Sequence, residues 1–134
     1  MKDTASRVTE AFDLASKQLG IARNFFKDDD IDNALVYAWN CFENLTNCLK
    51  DIFNKKPLYD HRPKVQVLRD YYLAGVLKQD YSKIFSKLIR YRLVAEFGPY
   101  TKIPKTYTKE DVRNYIKRAE ELTHEVERHL NKNR

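Results

Sequence analysis

The segment RYRLVAEFGPY, Arg90 to Tyr100, places charged side chains in the last turns of an otherwise apolar helix. Glu96 follows Arg92 by four residues, the spacing at which an arginine and a carboxylate meet on a helix surface. A partly buried guanidinium group is tolerated when a carboxylate accepts its hydrogen bonds. The residues therefore allow two interpretations. One is a structural ion pair, and the other is a groove between the second and fourth helices in which Arg90 and Arg92 hold phosphate.

The positive charge of the chain is concentrated around this segment. The net charge is +6, yet the stretch from Tyr81 to Arg118 carries ten Lys and Arg, only three carboxylates and five of the nine tyrosines. Cations interleaved with aromatic rings suit a polyanion with stackable bases, although solvated lysines on two helices give the same pattern. The candidate nucleic-acid or nucleotide contacts in this stretch are Lys87, Tyr91, Tyr100, Lys102 and Lys105.

Helical periodicity runs through most of the 134 residues, and glycine and proline are few. This pattern predicts an all-α protein, and the length suits one domain, residues 1–134, with one core. We predict a five-helix up-and-down bundle. Its helices are Thr4–Phe26, Ile31–Phe53, Lys64–Leu77, Asp80 to Gly98-Pro99 and Lys109–Leu130, and a basic loop, Tyr100–Tyr107, precedes the last one. Asp30 is expected to cap the second helix, and Thr108 with Asp111 resembles a capping box for the fifth.

The second predicted helix has apolar residues on two faces, and a strip of asparagines runs between them. A bundle must cover both apolar faces, and a second subunit is one way to do so. Asparagine competes for backbone hydrogen bonds and is a poor choice for a merely solvated helix face. Asn40 and Asn44 are therefore candidates for a ligand contact as well as for structural hydrogen bonds.

Several classes of protein do not fit the sequence. No apolar run reaches the roughly 18 residues of a membrane span, and the charged start MKDTASR does not suit a signal peptide. Cys41 and Cys48 are about 10 Å apart along one helix, too far for a disulfide, so we predict a reduced, cytoplasmic protein. HEVERH spaces its histidines five apart, whereas zinc proteases need four. We predict no cofactor and no metal.

The order of several segments resembles the HEPN superfamily, and it looks most like the small stand-alone prokaryotic members. The segments are LASKQLGIARNFFKDDDIDNALVYAWNCFENL, RLVAEFG and TKEDVRNYIKRAEELTHEVERHL. Tyr37-Ala38 resembles the core of the family's second helix, and His61 begins a basic segment after it. RLVAEFG resembles the Arg-x-x-Ala-Asp-Tyr-Gly that ends the fourth helix. His61 thereby becomes a candidate phosphate or base contact.

The resemblance implies a homodimer that forms through helices two and four and joins two copies of the site in one cleft. In active ribonuclease members an arginine is followed, after four to six residues, by a histidine that handles protons at the ribose 2′-OH without a metal. Imidazole titrates near neutrality and guanidinium stays charged, which suits these roles. Here Ala95 stands where that histidine is expected. The candidate catalytic-site residues are Arg90, Arg92, Ala95 and Glu96.

Two explanations of Ala95 stay open: a natural form of the stand-alone branch, or a toxin-type RYRLVHEF whose histidine is replaced. The resemblance implies an RNA- or nucleotide-binding module of a toxin–antitoxin or phage-defence system, with an antitoxin as a possible partner. Its metal-independent endoribonuclease activity would be absent or impaired, and the sequence leaves open whether the chain is an enzyme. The alternative is a non-catalytic companion subunit that helps to seat the substrate of a nucleotidyltransferase. A third hypothesis is a structural dimer with a vestigial site.

Overall fold

The computed structural model describes residues 4–53 and 62–132, and His61 therefore lies outside the described residues. Helices, turns and loops account for all of this part of the chain, so the predicted all-α class is confirmed for it. The five helices are α1 (Thr4–Lys27), α2 (Ile31–Phe53), α3 (Lys64–Leu73), α4 (Ser82–Phe97) and α5 (Lys109–Lys132). A single turn of 3-10 helix, Gly98–Tyr100, extends α4.

α2 is the central helix, and α1, α4 and α5 pack around it. A turn of three residues, 28–30, joins α1 to α2 as an antiparallel pair. Phe85 stacks on Phe42 at 5.6 Å, and Arg92 lies over Trp39 at 4.0 Å. Later residues of α4 thus meet earlier residues of α2, which makes these helices antiparallel as well. α5 contacts α2 at its middle, where Cys41 meets Thr123, and at its end, where Phe53 packs on His129, so the two helices run parallel.

Buried apolar residues of α1, α2, α4 and α5 form one connected core. Both cysteines are free and buried in it, as the sequence predicts. Burial raises the pKa of the Cys41 and Cys48 thiols to about 12, because the thiolate would lose its hydration there. None of the described helices combines the length and the apolar character that a bilayer crossing requires.

Side-chain caps fix the starts of α2 and α5, and a side-chain hydrogen bond also precedes α4. The Asp30 carboxylate accepts a 3.2 Å hydrogen bond from a backbone N–H in the first turn of α2. The Thr108 N–H donates to Asp111 Oδ2 at 2.9 Å and the Asp111 N–H donates to Thr108 Oγ1 at 3.1 Å, so the capping box is confirmed. α4 begins at Ser82 rather than at Asp80, because the Asp80 carboxylate accepts the Ser82 N–H at 2.9 Å.

The predicted end of the third helix at Leu77 is wrong, because α3 ends at Leu73. Gly75 takes a φ of 79°, which glycine adopts without steric cost. The Val76 N–H then donates to the Tyr71 carbonyl at 2.8 Å and closes the helix end. Leu77 is nevertheless buried, with 2% of its surface exposed. The apolar spacing that suggested a longer helix is thus satisfied by a turn that inserts Leu77 into the core.

Candidate nucleic-acid interface

Arg92 lies in the groove between α2 and α4, on the face of a tryptophan ring. Its guanidinium carbon is 4.0 Å from the centroid of the Trp39 ring, and its Nη1 donates to Glu96 Oε2 at 2.8 Å. The Arg92 side chain keeps 27% of its surface exposed. The predicted ion pair between Arg92 and Glu96 is therefore present. Stacking and pairing hold the guanidinium plane in one orientation while part of it remains open to solvent.

Trp39 on α2 is the platform beneath Arg92. Its Nε1 is buried and has no hydrogen-bond partner in the described part of the chain. A buried N–H without a partner is uncommon in folded proteins. The Arg92 guanidinium covers the ring, so any molecule that engages this arginine changes the environment of Trp39.

Arg90 does not share this groove within one chain. Helical geometry places it about 200° around α4 from Arg92, and its side chain is exposed. Lys87 is also exposed, one turn before Arg90. One chain therefore presents the two candidate arginines on different sides of α4, and Arg90 and Lys87 belong to the outer side.

Ala95 lines a cleft of about 370 Å³ at the end of α4, which we call the Ala95 cleft. Three parts of the chain meet there: the start of α2, the end of α4, and the segment 101–108, which we call the strap. The lining residues are Asp32, Val94, Ala95, Gly98, Pro99, Thr101, Ile103 and Lys105. Apolar side chains make up much of the wall, and Asp32, Thr101 and Lys105 supply polar groups. This mixture is typical of a small-molecule site.

Asp32 anchors the strap over the start of α2. Lys105 Nζ lies 3.0 Å from the Asp32 carboxylate, and the Tyr107 hydroxyl donates a hydrogen bond to the same carboxylate. Burial raises the pKa of Tyr107, and the bond to Asp32 raises it further because the phenolate would face a carboxylate. Thr106 Oγ1 and the Tyr91 hydroxyl are 3.1 Å apart, and the Tyr91 ring packs on the Tyr107 ring at 5.6 Å. Tyr91 and Lys105, both predicted as ligand contacts, thus also have structural partners.

Tyr100 and Lys102 remain accessible at the start of this region. Tyr100 has 94% of its surface exposed, and Lys102 is also exposed. A ring that no neighbour covers is available for stacking with a base. Both side chains are therefore open to a ligand.

Asn40 and Asn44 take part in a hydrogen-bond chain that leads towards α1. Asn44 Nδ2 donates to Gln18 Oε1 at 2.9 Å and to the Asn40 main-chain oxygen at 3.2 Å. Neither asparagine lines the Ala95 cleft. The structure therefore gives Asn44 a structural role between α1 and α2, and it does not bring Asn40 and Asn44 together with Ala95.

A second cleft, of about 400 Å³, lies between α1 and the end of α2. Arg7 and Lys50 line it together with Glu10 and Asp51, and Arg7 is paired with Asp51 at 3.4 Å. Cations and carboxylates balance each other there. This cleft offers no excess positive charge to an anionic ligand, although it is the slightly larger of the two.

Of the eight residues that line the Ala95 cleft, sequence reasoning named two as site residues, Ala95 and Lys105. It missed the other six, which are Asp32, Val94, Gly98, Pro99, Thr101 and Ile103. Asp32 lies in the first turn of α2, at the end of an acidic run that favours a turn with a helix cap over a cation site. Its partners Lys105 and Tyr107 are more than 70 residues away in the sequence. No local pattern marks such a pairing. No protein-family model matches this chain, and no curated protein matches it.

Proposed function

We propose that this chain is a HEPN-type helical module that binds RNA or a nucleotide at the Ala95 cleft and at Arg92. The observation that carries the proposal is the position of Ala95. Its side chain lines a cleft of about 370 Å³ that Lys105 also lines, and the Lys105 ammonium group is paired there with Asp32. Clefts of about 300 to 1,000 Å³ typically accommodate small ligands, so one nucleotide unit has room there. Lys105 supplies a cation for a phosphate group, and Thr101 supplies a hydroxyl for a sugar or a base.

Arg92 supports the proposal because its guanidinium group is already oriented. It lies one turn before Ala95 on α4, stacked on Trp39 and paired with Glu96. A planar guanidinium held in this way loses little conformational freedom when it binds phosphate. Tyr100, with 94% of its surface exposed, offers a stacking surface beyond the end of α4.

Ribonuclease activity is absent or impaired in the proposed function, because the cleft lacks a group that transfers protons near neutral pH. Neither histidine of the described residues lines it. His124 is exposed on α5, and His129 Nε2 lies 2.8 Å from the Val76 carbonyl oxygen. Ala95 occupies the position from which an imidazole would reach the cleft, so the site retains binding groups and lacks the proton-transfer group.

A homodimer is part of the proposal because Arg90 and Arg92 lie on different sides of α4. Association through α2 and α4 would bring Arg90 of one copy towards the groove of the other. Two apolar side chains on α4 are exposed, Ile89 with 37% and Phe97 with 53% of its surface, and dimerisation would bury them. The same patch would also suit a protein partner, either an antitoxin or a nucleotidyltransferase. The second of these partners corresponds to the alternative proposal, in which this chain is a companion subunit that helps to seat the substrate of the nucleotidyltransferase.

The binding proposal is tested by fluorescence anisotropy with a fluorescein-labelled single-stranded RNA. The wild-type protein should bind with an affinity that falls as salt is raised, since bound phosphates release counterions. Arg92→Gln should weaken binding roughly fivefold at 0.1 M salt, the value expected for one phosphate contact on a single strand. Lys17→Gln, which removes an exposed cation from α1, is the matched control. Equal affinity of Arg92→Gln and the control would refute the role of Arg92.

The origin of Ala95 is tested by Ala95→His. The purified variant is incubated with RNA in the presence of EDTA, beside the wild-type chain. Cleavage by the variant alone would show that the remaining groups form a metal-independent ribonuclease site, which favours the replaced-histidine explanation. A variant that folds, binds RNA and cleaves nothing would favour the natural form.

A further inference from the structure

A third, smaller cleft lies between α1 and α5. It has a volume of about 180 Å³ and is lined by Arg23, Phe26, Lys27, Arg113 and Ile116. We call it the α1/α5 slot. Phe26 is half-buried and Ile116 is buried, so the slot has an apolar floor. The three cationic side chains around that floor are all exposed.

Cations approach the Phe26 ring from α5 as well. Arg113 lies 5.4 Å from the ring centroid, and Lys109 Nζ lies 5.6 Å from it. These distances are within the range of a cation–π contact. An aromatic ring with arginine and lysine side chains over it combines a stacking surface with cations, the two features with which proteins hold an unpaired base and its flanking phosphates.

The carboxylates that balance these cations sit at the surface, where they are easily exchanged. Arg23 pairs with Glu120 at 2.7 Å, and both side chains are nearly half exposed. Arg113 pairs with Glu110, whose side chain has 75% of its surface exposed. Exposed ion pairs of this kind contribute little and weaken with salt. Lys27 has no carboxylate partner among the described residues. A phosphate group can therefore replace the surface carboxylates at small cost.

The strap connects the slot with the Ala95 cleft. Lys105 forms an ion pair with Asp32 at the Ala95 cleft. Four residues later, Lys109 forms an ion pair with Asp29 and also contacts the Phe26 ring of the slot. The basic side chains thus continue around one end of the bundle from the Ala95 cleft to the α1/α5 slot. A single nucleic-acid strand repeats a base and a charge along its length, and it fits two base-sized clefts joined by cations better than an acidic peptide does.

We propose that the α1/α5 slot binds an unpaired base of a single-stranded nucleic acid, with Lys27, Arg113 and Arg23 on the adjacent phosphates. This rests on the proposed function, which it extends by a second contact and by the preference for a single strand. A duplex cannot insert a base into the slot, because its bases are paired and stacked. The slot is therefore the part of the surface that distinguishes single strands from duplexes.

The test uses anisotropy with a labelled single-stranded RNA of 12 nucleotides and with the same RNA annealed to its complement. Lys27→Gln/Arg113→Gln should weaken single-strand binding about 25-fold at 0.1 M salt and lower the salt slope by about 1.4, as expected for two lost phosphate contacts. Phe26→Leu, which keeps the floor apolar, should weaken single-strand binding roughly fivefold through lost stacking. Lys17→Gln/Lys132→Gln removes the same charge from exposed positions outside the slot and is the control. Circular dichroism checks the fold of each variant.

The outcomes separate this inference from the proposed function. If the slot double variant binds like the control while Arg92→Gln is weakened, the slot inference is overturned and the proposed function stands. Equal binding of duplex and single strand by the wild-type protein also overturns the slot inference. If the wild-type protein binds no RNA, both fail. Displacement of the RNA by a ten-residue polyglutamate at lower concentration than by unlabelled RNA would assign the slot to an acidic protein instead.

Discussion

Removal of the Arg92 side chain should destabilise the fold. The expected loss is the sum of the contributions of its contacts with Glu96 and Trp39. In Arg92→Ala the ion pair with Glu96 and the contact with the Trp39 ring are both lost. An exposed helical pair four residues apart contributes about 0.3 to 0.5 kcal/mol. A cation–π contact that is partly shielded contributes about 1 kcal/mol. We expect a loss of about 1.5 kcal/mol in the free energy of unfolding, or about 5 °C in Tm for a chain of this length.

Two further variants divide this loss between the two contacts. Glu96→Gln removes the ion pair and leaves the guanidinium on Trp39, so we expect a loss of about 0.4 kcal/mol. Arg92→Lys keeps the charge but has no planar group to stack, and we expect an intermediate loss of about 0.5 to 1 kcal/mol. The expected order of destabilisation is therefore Arg92→Ala, then Arg92→Lys, then Glu96→Gln.

Urea unfolding followed by tryptophan fluorescence measures these losses, because Trp39 is the single tryptophan of the chain. Its native emission should change in Arg92→Ala, where the ring loses its covering cation, and should change little in Glu96→Gln. Lys17→Gln, an exposed cation on α1, serves as the control. An Arg92→Ala protein as stable as the control, or less destabilised than Glu96→Gln, would show that Arg92 does not lie on Trp39.

Three further predictions concern the rest of the fold. Thr108→Ala should cost about 1 kcal/mol in urea unfolding, since it removes one half of the capping box of α5; an unchanged midpoint would argue against that cap. Both cysteines should resist a thiol reagent at pH 8 in the native protein and react on unfolding, because burial raises the pKa of each thiol to about 12; rapid native reaction of either would place it at the surface. Stability should fall above about pH 10, because burial raises the native pKa of Tyr81, Tyr107 and Tyr115 above the 10.0 of an unperturbed tyrosine. For Tyr115 the native pKa is raised to about 12. The stabilisation is complete below pH 10 and is lost as pH rises towards the native pKa values; unfolding curves that coincide at pH 9 and 11 would contradict it.

Local patterns in the sequence predict the helices and most of their ends. The capping box of α5 follows from residues three apart, and the Arg92–Glu96 pair follows from residues four apart, so neither needs knowledge of the fold. The end of α3 is not predicted correctly, because Leu77 continues the apolar spacing after Gly75 has already turned the chain. The spacing of apolar residues indicates which of them are buried, and a turn can bury a leucine as well as a helix can.

The candidate site is predicted less completely, because it depends on contacts between distant parts of the chain. Asp32 joins the cleft only because the strap returns to the start of α2 and places Lys105 and Tyr107 on its carboxylate. The platform beneath Arg92 likewise requires the packing of α2 on α4. The separation of Arg90 from Arg92 is different, since 100° per residue already places them on different sides of one helix.

The most direct test of RNA or nucleotide binding at Arg92 and the Ala95 cleft is a titration of Trp39 fluorescence with single-stranded RNA. Trp39 lies 4.0 Å from the Arg92 guanidinium carbon, so a phosphate that engages Arg92 must alter the surroundings of the ring. We expect a saturable change in Trp39 emission whose Kd equals the value from anisotropy, and we expect this change to be lost in Arg92→Gln. RNA that binds by anisotropy and leaves Trp39 emission unchanged would place the binding site elsewhere on the protein.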